Sequence, residues 1–317
     1  MSAAAETVIP TSAPAAATRP FFWSLRRETW EHRAIFWAPL IAGALVLVSF
    51  LLNAANLPDG IRALSTLAPN DQHTVVMGIF LITAMVVVSV AAITNAFYCL
   101  DALHSERRDR SILFWKSLPV SDVTTVLSKL CVAALVVPAI ALVVTLATQL
   151  LLLLVSAVVL LASGEGVSAL LSLLRYPEFV VVMLYATIAA TLWSAPIYGY
   201  LLLVSAWAKR APFLWAVLVP LGAAVAERLI FNSSYLFDTV RRRAIDWVPV
   251  AFDINPHVRE MAASSEGMHF NFTLPEHPLQ FAAPLQFLSS PPLWIGLALC
   301  ALFIAAAIWL RRYREPI

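Results

Sequence analysis

Long apolar runs separated by short charged breaks dominate the chain. Six of them, 35–53, 75–98, 130–162, 179–207, 212–231 and 293–310, are apolar over roughly 18 residues or more. A helix of about 20 residues, rising 1.5 Å at each, crosses the hydrocarbon core of a bilayer. Inside that core every backbone N–H and C=O must find a partner within the protein, which makes each run a helix. The third run, 33 residues long, exceeds what a bilayer needs. It is expected to tilt, to extend beyond the membrane or to break near Pro138.

The polar breaks set the rest of the layout. Residues 1–20, rich in Ala, Thr, Ser and Pro without an apolar core, read as a disordered cytoplasmic tail rather than a cleaved signal peptide. Residues 21–33, FFWSLRRETWEHR, mix aromatics with arginines and suit a helix lying in the membrane interface. The simpler reading of that stretch is the flank of the first span. Residues 99–129 are the longest charged interruption, and 232–292 form an enlarged segment between spans five and six. Within the latter, YLFDTVRRRAIDW is a candidate interfacial helix, with Arg241, Arg242 and Arg243 among headgroups. The remainder reads as an irregular cap, and 311–317 as a second tail. The fold class is an all-α integral membrane protein whose membrane domain spans 21–310.

Composition agrees. The chain is 61% hydrophobic and 13% charged, with a mean hydropathy of +0.81, against about 45–50% and about 25% for soluble domains. A net charge of +2 gives no reason to expect a nucleic-acid partner. Cys99, Cys131 and Cys300 lie in or beside apolar runs, as small hydrophobes do. With the N-terminus inside, Arg19, Arg26, Arg27, Arg33, Arg107, Arg108, Arg110, Lys116, Lys129, Lys209, Arg210, Arg311, Arg312 and Arg314 all fall on one side. The two short loops on the other side hold only Arg62 and Arg175. Positive residues in short loops set topology, so both termini are expected in the cytoplasm.

Several chemistries find no footing. None of the nine glycines begins a GxxxxGK[ST] phosphate cradle, so the chain is not expected to hydrolyse nucleotide by itself, or to be an enzyme. No metal or other cofactor is expected in this chain. His104 and Glu106 lack a further ligand at helical spacing and read as part of a solvated charge run. His257, His269 and His277 are widely and irregularly spaced, as in an ordinary exposed loop. Polar residues inside the spans are mild, and Glu227, beside Arg228, is the only acid near a predicted core. A secondary transporter is expected to keep carboxylates or histidines at mid-membrane. Asn53, Asn95, Gln149 and Ser194 are the candidate pathway-lining residues. For Asn95, Gln149 and Ser194 the alternative is interhelical hydrogen bonding.

The loop at 99–129 carries the richest pattern. Ser111 is placed to cap a short helix, with Ile112, Leu113, Trp115 and Leu118 offering apolar surface beside Lys116. Pro119 stops it, and Ser121 with Asp122 starts the next helix at its positive end. The bland reading is an interfacial linker without a partner.

The run Glu106-Arg107-Arg108-Asp109-Arg110-Ser111-Ile112-Leu113, then Ser117-Leu118-Pro119-Val120-Ser121, then Leu127-Ser128-Lys129-Leu130, resembles the hallmark of type-2 ABC transporter permeases. Arg110 and Ser128 stand where that family commonly has glycine. The six-span layout, cytoplasmic termini, N-terminal interfacial helix and enlarged outer segment are similar to the family's as well. The resemblance implies the membrane subunit of a bacterial exporter, with ATP and Mg handled by two copies of a separate ATPase subunit. It implies a second permease copy or a related subunit, and a lipid-like, peptide or drug-like cargo. Glu106, Arg107, Arg108, Arg110, Ser111, Ile112, Leu113, Trp115, Leu118 and Pro119 would form the ATPase-coupling element. Its apolar residues would insert into the ATPase, and its arginines would steer docking. The rival is a membrane scaffold or assembly factor whose loop binds a partner that is not an ATPase.

Overall fold

The computed structural model describes residues 20–109, 121–164, 176–245, 247–252, 279 and 282–313, with the backbone alone at 69–70 and 244–245. Of these residues 91% are helical, and no strand occurs among them. Six helical stretches are long and apolar enough to cross a membrane, as the apolar runs predict.

In chain order the helices are α1 (Pro20–Glu31), α2 (Ala34–Asn53), α3 (Leu57–Ser65), α4 (Pro69–Asp101), α5 (His104–Arg108), α6 (Asp122–Cys131), α7 (Val137–Ala162), α8 (Tyr176–Trp207), α9 (Pro212–Phe231), α10 (Tyr235–Ile245), α11 (Trp247–Ala251), α12 (Pro284–Ser289) and α13 (Pro291–Tyr313). Two packing sets build the bundle. α2, α4 and α7 pack on one another, and α8 runs along α13. Both sets depend on a missing side chain. A Cβ at Gly43 would stand 2.6 Å from Thr148 Oγ1, and one at Gly199 would stand 3.2 Å from the Cys300 backbone. α9 is peripheral: of its residues only Ala216 is buried.

The third run does break beside Pro138, through a π-helical turn, Val132–Val136, between α6 and α7. Val137 N–H bonds back to Val132 O. The next bond in that register would run from residue 138 to Ala133 O, and proline has no N–H to give. Asn95 of α4 takes its place, donating Nδ2 to Ala133 O at 2.8 Å. The proline and the asparagine therefore work as a pair across two helices.

The loop between α2 and α4 is more ordered than a short connection suggests. Pro58 opens α3, whose Leu57, Ile61 and Leu64 pack over Val76, Met77, Phe80, Leu160 and Phe179. At the same end α10 is the helix expected from YLFDTVRRRAIDW, but its arginines part company. Arg241 is exposed, whereas Arg243 folds back over the Trp193 ring at 4.4 Å and donates to Pro292 O at 2.9 Å. Gly296 leaves the space that this guanidinium fills, and burial pushes the Arg243 pKa below its ordinary value. Glu227 has a local task as well. Its carboxylate accepts the N–H groups of Tyr235 at 2.9 Å and Leu236 at 2.8 Å, capping α10. Most of the expected irregular cap, 253–278, lies outside the described residues.

Candidate functional site: an ionic cluster at the α1 end

The segments that flank the charged interruption meet at one end of the bundle. α1 lies against α6, and α6 against the end of α13. Ser121 starts α6 as its sequence predicts, its Oγ accepting Thr124 N–H at 3.1 Å. Lys129, in the last turn of the same helix, faces inward.

Lys129 is 1% exposed, and its ammonium sits 2.7 Å from Glu28 Oε1 of α1 and 3.1 Å from Glu106 Oε1 of α5. The other oxygen of Glu106 accepts from Arg311 in the last turn of α13. Arg311 Nε reaches Asp122 Oδ1 at 2.9 Å. Acid and base thus alternate through Glu28, Lys129, Glu106, Arg311 and Asp122, with Arg27, itself bonded to Glu31, 4.0 Å from Glu106. Tyr98 of α4 donates to Glu28 Oε2 at 3.2 Å, and the His32 ring lies 3.9 Å from the same oxygen. Burying such charges is costly unless each is paired, and pairing is what the alternation supplies. Five helices, α1, α4, α5, α6 and α13, are tied at this point.

A second exchange fastens α5 to α8. Ser205 Oγ accepts the N–H groups of Leu103 and His104, each at 3.0 Å, which caps the start of α5. In return Arg107 donates to Ala206 O, and His104 Nδ1 lies 3.2 Å from Ala208 O. A carbonyl only accepts, so His104 carries its proton on Nδ1. Each helix end thus satisfies the orphan groups of the other.

These positions revise the reading of the charge run. His104, Glu106 and Arg107 are 7%, 5% and 4% exposed, so the run is solvated on one side only. Steering by an exposed guanidinium fits Arg108, which is exposed beside Asp109, and does not fit Arg107. Arg311, expected to begin a tail, is instead a buried residue of α13. Arg110, Ser111, Ile112, Leu113, Trp115, Leu118 and Pro119 lie outside the described residues. Sequence reasoning missed Glu28, Tyr98, Ser205 and Arg311 as partners of the loop. The available signal for Glu28 was its spacing with Leu25 and His32 along one helical face.

The four candidate pathway residues divide. Asn95 and Gln149 are buried and serve as interhelical donors, Gln149 Nε2 to Phe80 O at 3.0 Å. Ser194 is half-buried on α8. Asn53, exposed at the end of α2, lines an open groove of about 530 Å³ with Ser49, Phe50, Ile79 and Thr83. Among the described residues no group of His, Cys, Asp or Glu is placed to hold a metal ion. No protein-family model, curated protein or solved structure matches the chain.

Proposed function

We propose that the chain is the membrane-spanning permease subunit of an ATP-driven exporter of the type-2 ABC class, working with a separate ATPase. One observation supports this reading above the rest. Glu106 and Lys129, which stand at the two ends of the motif pattern, form an ion pair at 3.1 Å. The pattern is therefore a contact in space as well as a string of letters.

The cluster suits the task. A permease must convert the motion of a soluble subunit into movement of spans without losing it in slack. Residues 110–120 leave from α5 and return into α6, and both of these helices are pinned by Glu106, Arg311 and Asp122. Force applied to that loop passes directly to α4, α7 and α13. In this reading the basic end faces the cytoplasm of the inner membrane, and Arg108 steers docking while the apolar residues of the loop engage the ATPase.

The test is affinity purification from native membranes in mild detergent, with Ile112→Asp and Trp115→Asp alongside the parent. A stoichiometric partner bearing GxxxxGK[ST], lost from either variant while the membrane domain stays folded, is the expected outcome. A clean preparation that captures no nucleotide-binding partner sinks the proposal in favour of a scaffold.

A further inference from the structure

We propose that the outward face of α1 is a binding site for the headgroups of anionic phospholipids. The helix has two sides of opposite character. Leu25, Glu28 and His32 turn toward the bundle, and Glu28 enters the ionic cluster. Phe22, Trp23, Arg26, Trp30 and Arg33 are all exposed on the other side. Trp23 and Trp30 are 58% and 67% exposed, far more than indoles that pack against protein.

The Arg26 guanidinium stands between those two rings, 5.4 Å from the Trp23 centroid and 4.7 Å from that of Trp30. Stacking occupies the faces of a guanidinium and leaves its N–H edge free to donate, the geometry that grips a phosphate bidentately. No carboxylate among the described residues pairs with Arg26 or Arg33, whereas their neighbour Arg27 bonds Glu31 at 2.8 Å. The face thus holds two uncompensated positive charges.

Depth identifies the occupant. Only His32 and Arg33 separate α1 from α2, the first helix long and apolar enough to cross a membrane. That short link holds α1 at the level where the first span leaves the hydrocarbon. Tryptophan is enriched at this level, and each basic side chain near an anionic leaflet gains about 1 kcal/mol. Aromatic bodies for the acyl boundary and unpaired arginines for phosphate fit an acidic glycerophospholipid better than a zwitterionic one. Bound headgroups would hold α1 in place, and with it Glu28.

The experiment uses the full chain in nanodiscs of phosphatidylcholine alone or mixed with phosphatidylglycerol, followed by delipidation and counting of retained lipids by native mass spectrometry. Preferential retention of phosphatidylglycerol is expected. Arg26→Gln and Arg33→Gln should each weaken it about fivefold, the equivalent of ~1 kcal/mol per basic side chain. Added salt should weaken it as well. Both residues are exposed, so unfolding temperatures should not move. Equal retention of the two lipids by the parent protein, or an unchanged preference in the Arg26→Gln/Arg33→Gln double variant, overturns the proposal. So does a double variant that keeps the lipid preference and loses a protein partner, since the face then belongs to that partner.

Discussion

Replacing Lys129 by Met tests the ionic cluster at its centre. The substitution keeps most of the side chain's length and removes the ammonium that lies between Glu28 and Glu106, which are 2% and 5% exposed. Glu106 keeps Arg311 as a partner. Among the described residues Glu28 keeps the Tyr98 hydroxyl at 3.2 Å and the His32 ring at 3.9 Å. The stranded charge is therefore that of Glu28, and removing one member of a buried pair costs about 3–5 kcal/mol. The loss should be of that size. Adding Glu28→Gln to Lys129→Met removes the stranded charge and should recover most of it. Thermal unfolding in detergent, run as a double-mutant cycle, measures the coupling. If the two single losses add, the charges are not coupled and the argument fails.

Further substitutions probe the bundle itself. Asn95→Leu strands Ala133 O and should cost about 1–2 kcal/mol. Most of that cost should vanish in a Pro138→Ala background, where the helix regains the missing N–H; an equal loss in both backgrounds would separate the asparagine from the proline. Gly199→Ala forces a Cβ against the Cys300 backbone and should cost about 1–3 kcal/mol. Gly78→Ala, where nothing lies within 4 Å, should stabilise α4 by up to about 1 kcal/mol. Comparing their unfolding midpoints checks whether α8 and α13 approach as closely as described.

The charged loop shows where reading the sequence runs short. Ser121 and Asp122 mark a helix start because a cap acts over three residues, and the structure has that cap. The same local logic treats the charge run around His104 and Glu106 as solvated, since no further ligand stands at helical spacing. Their partners are Lys129, Arg311, Ser205 and the carbonyls at the end of α8, brought in by helices far apart in sequence. A buried charge looks like an exposed one in a string of letters. Only its distant partner tells the two apart.

What the sequence alone determined is the set of six apolar helices; for the third it left a tilt, an extension or a break near Pro138 open. Hydrocarbon leaves an apolar run no alternative to the helix, and a proline removes its own donor wherever it stands. What the tertiary structure decided is which polar groups face one another. Asn95 could have lined a pathway or bonded a neighbour, and the π turn beside it placed the Ala133 carbonyl within its reach. Glu28 could have lain among headgroups with Arg26, and the placement of Lys129 drew it inside. Pairing depends on angles and distances between helices, and these follow from packing at contacts such as Gly43 against Thr148 and Gly199 against Cys300. No periodicity within one helix encodes them.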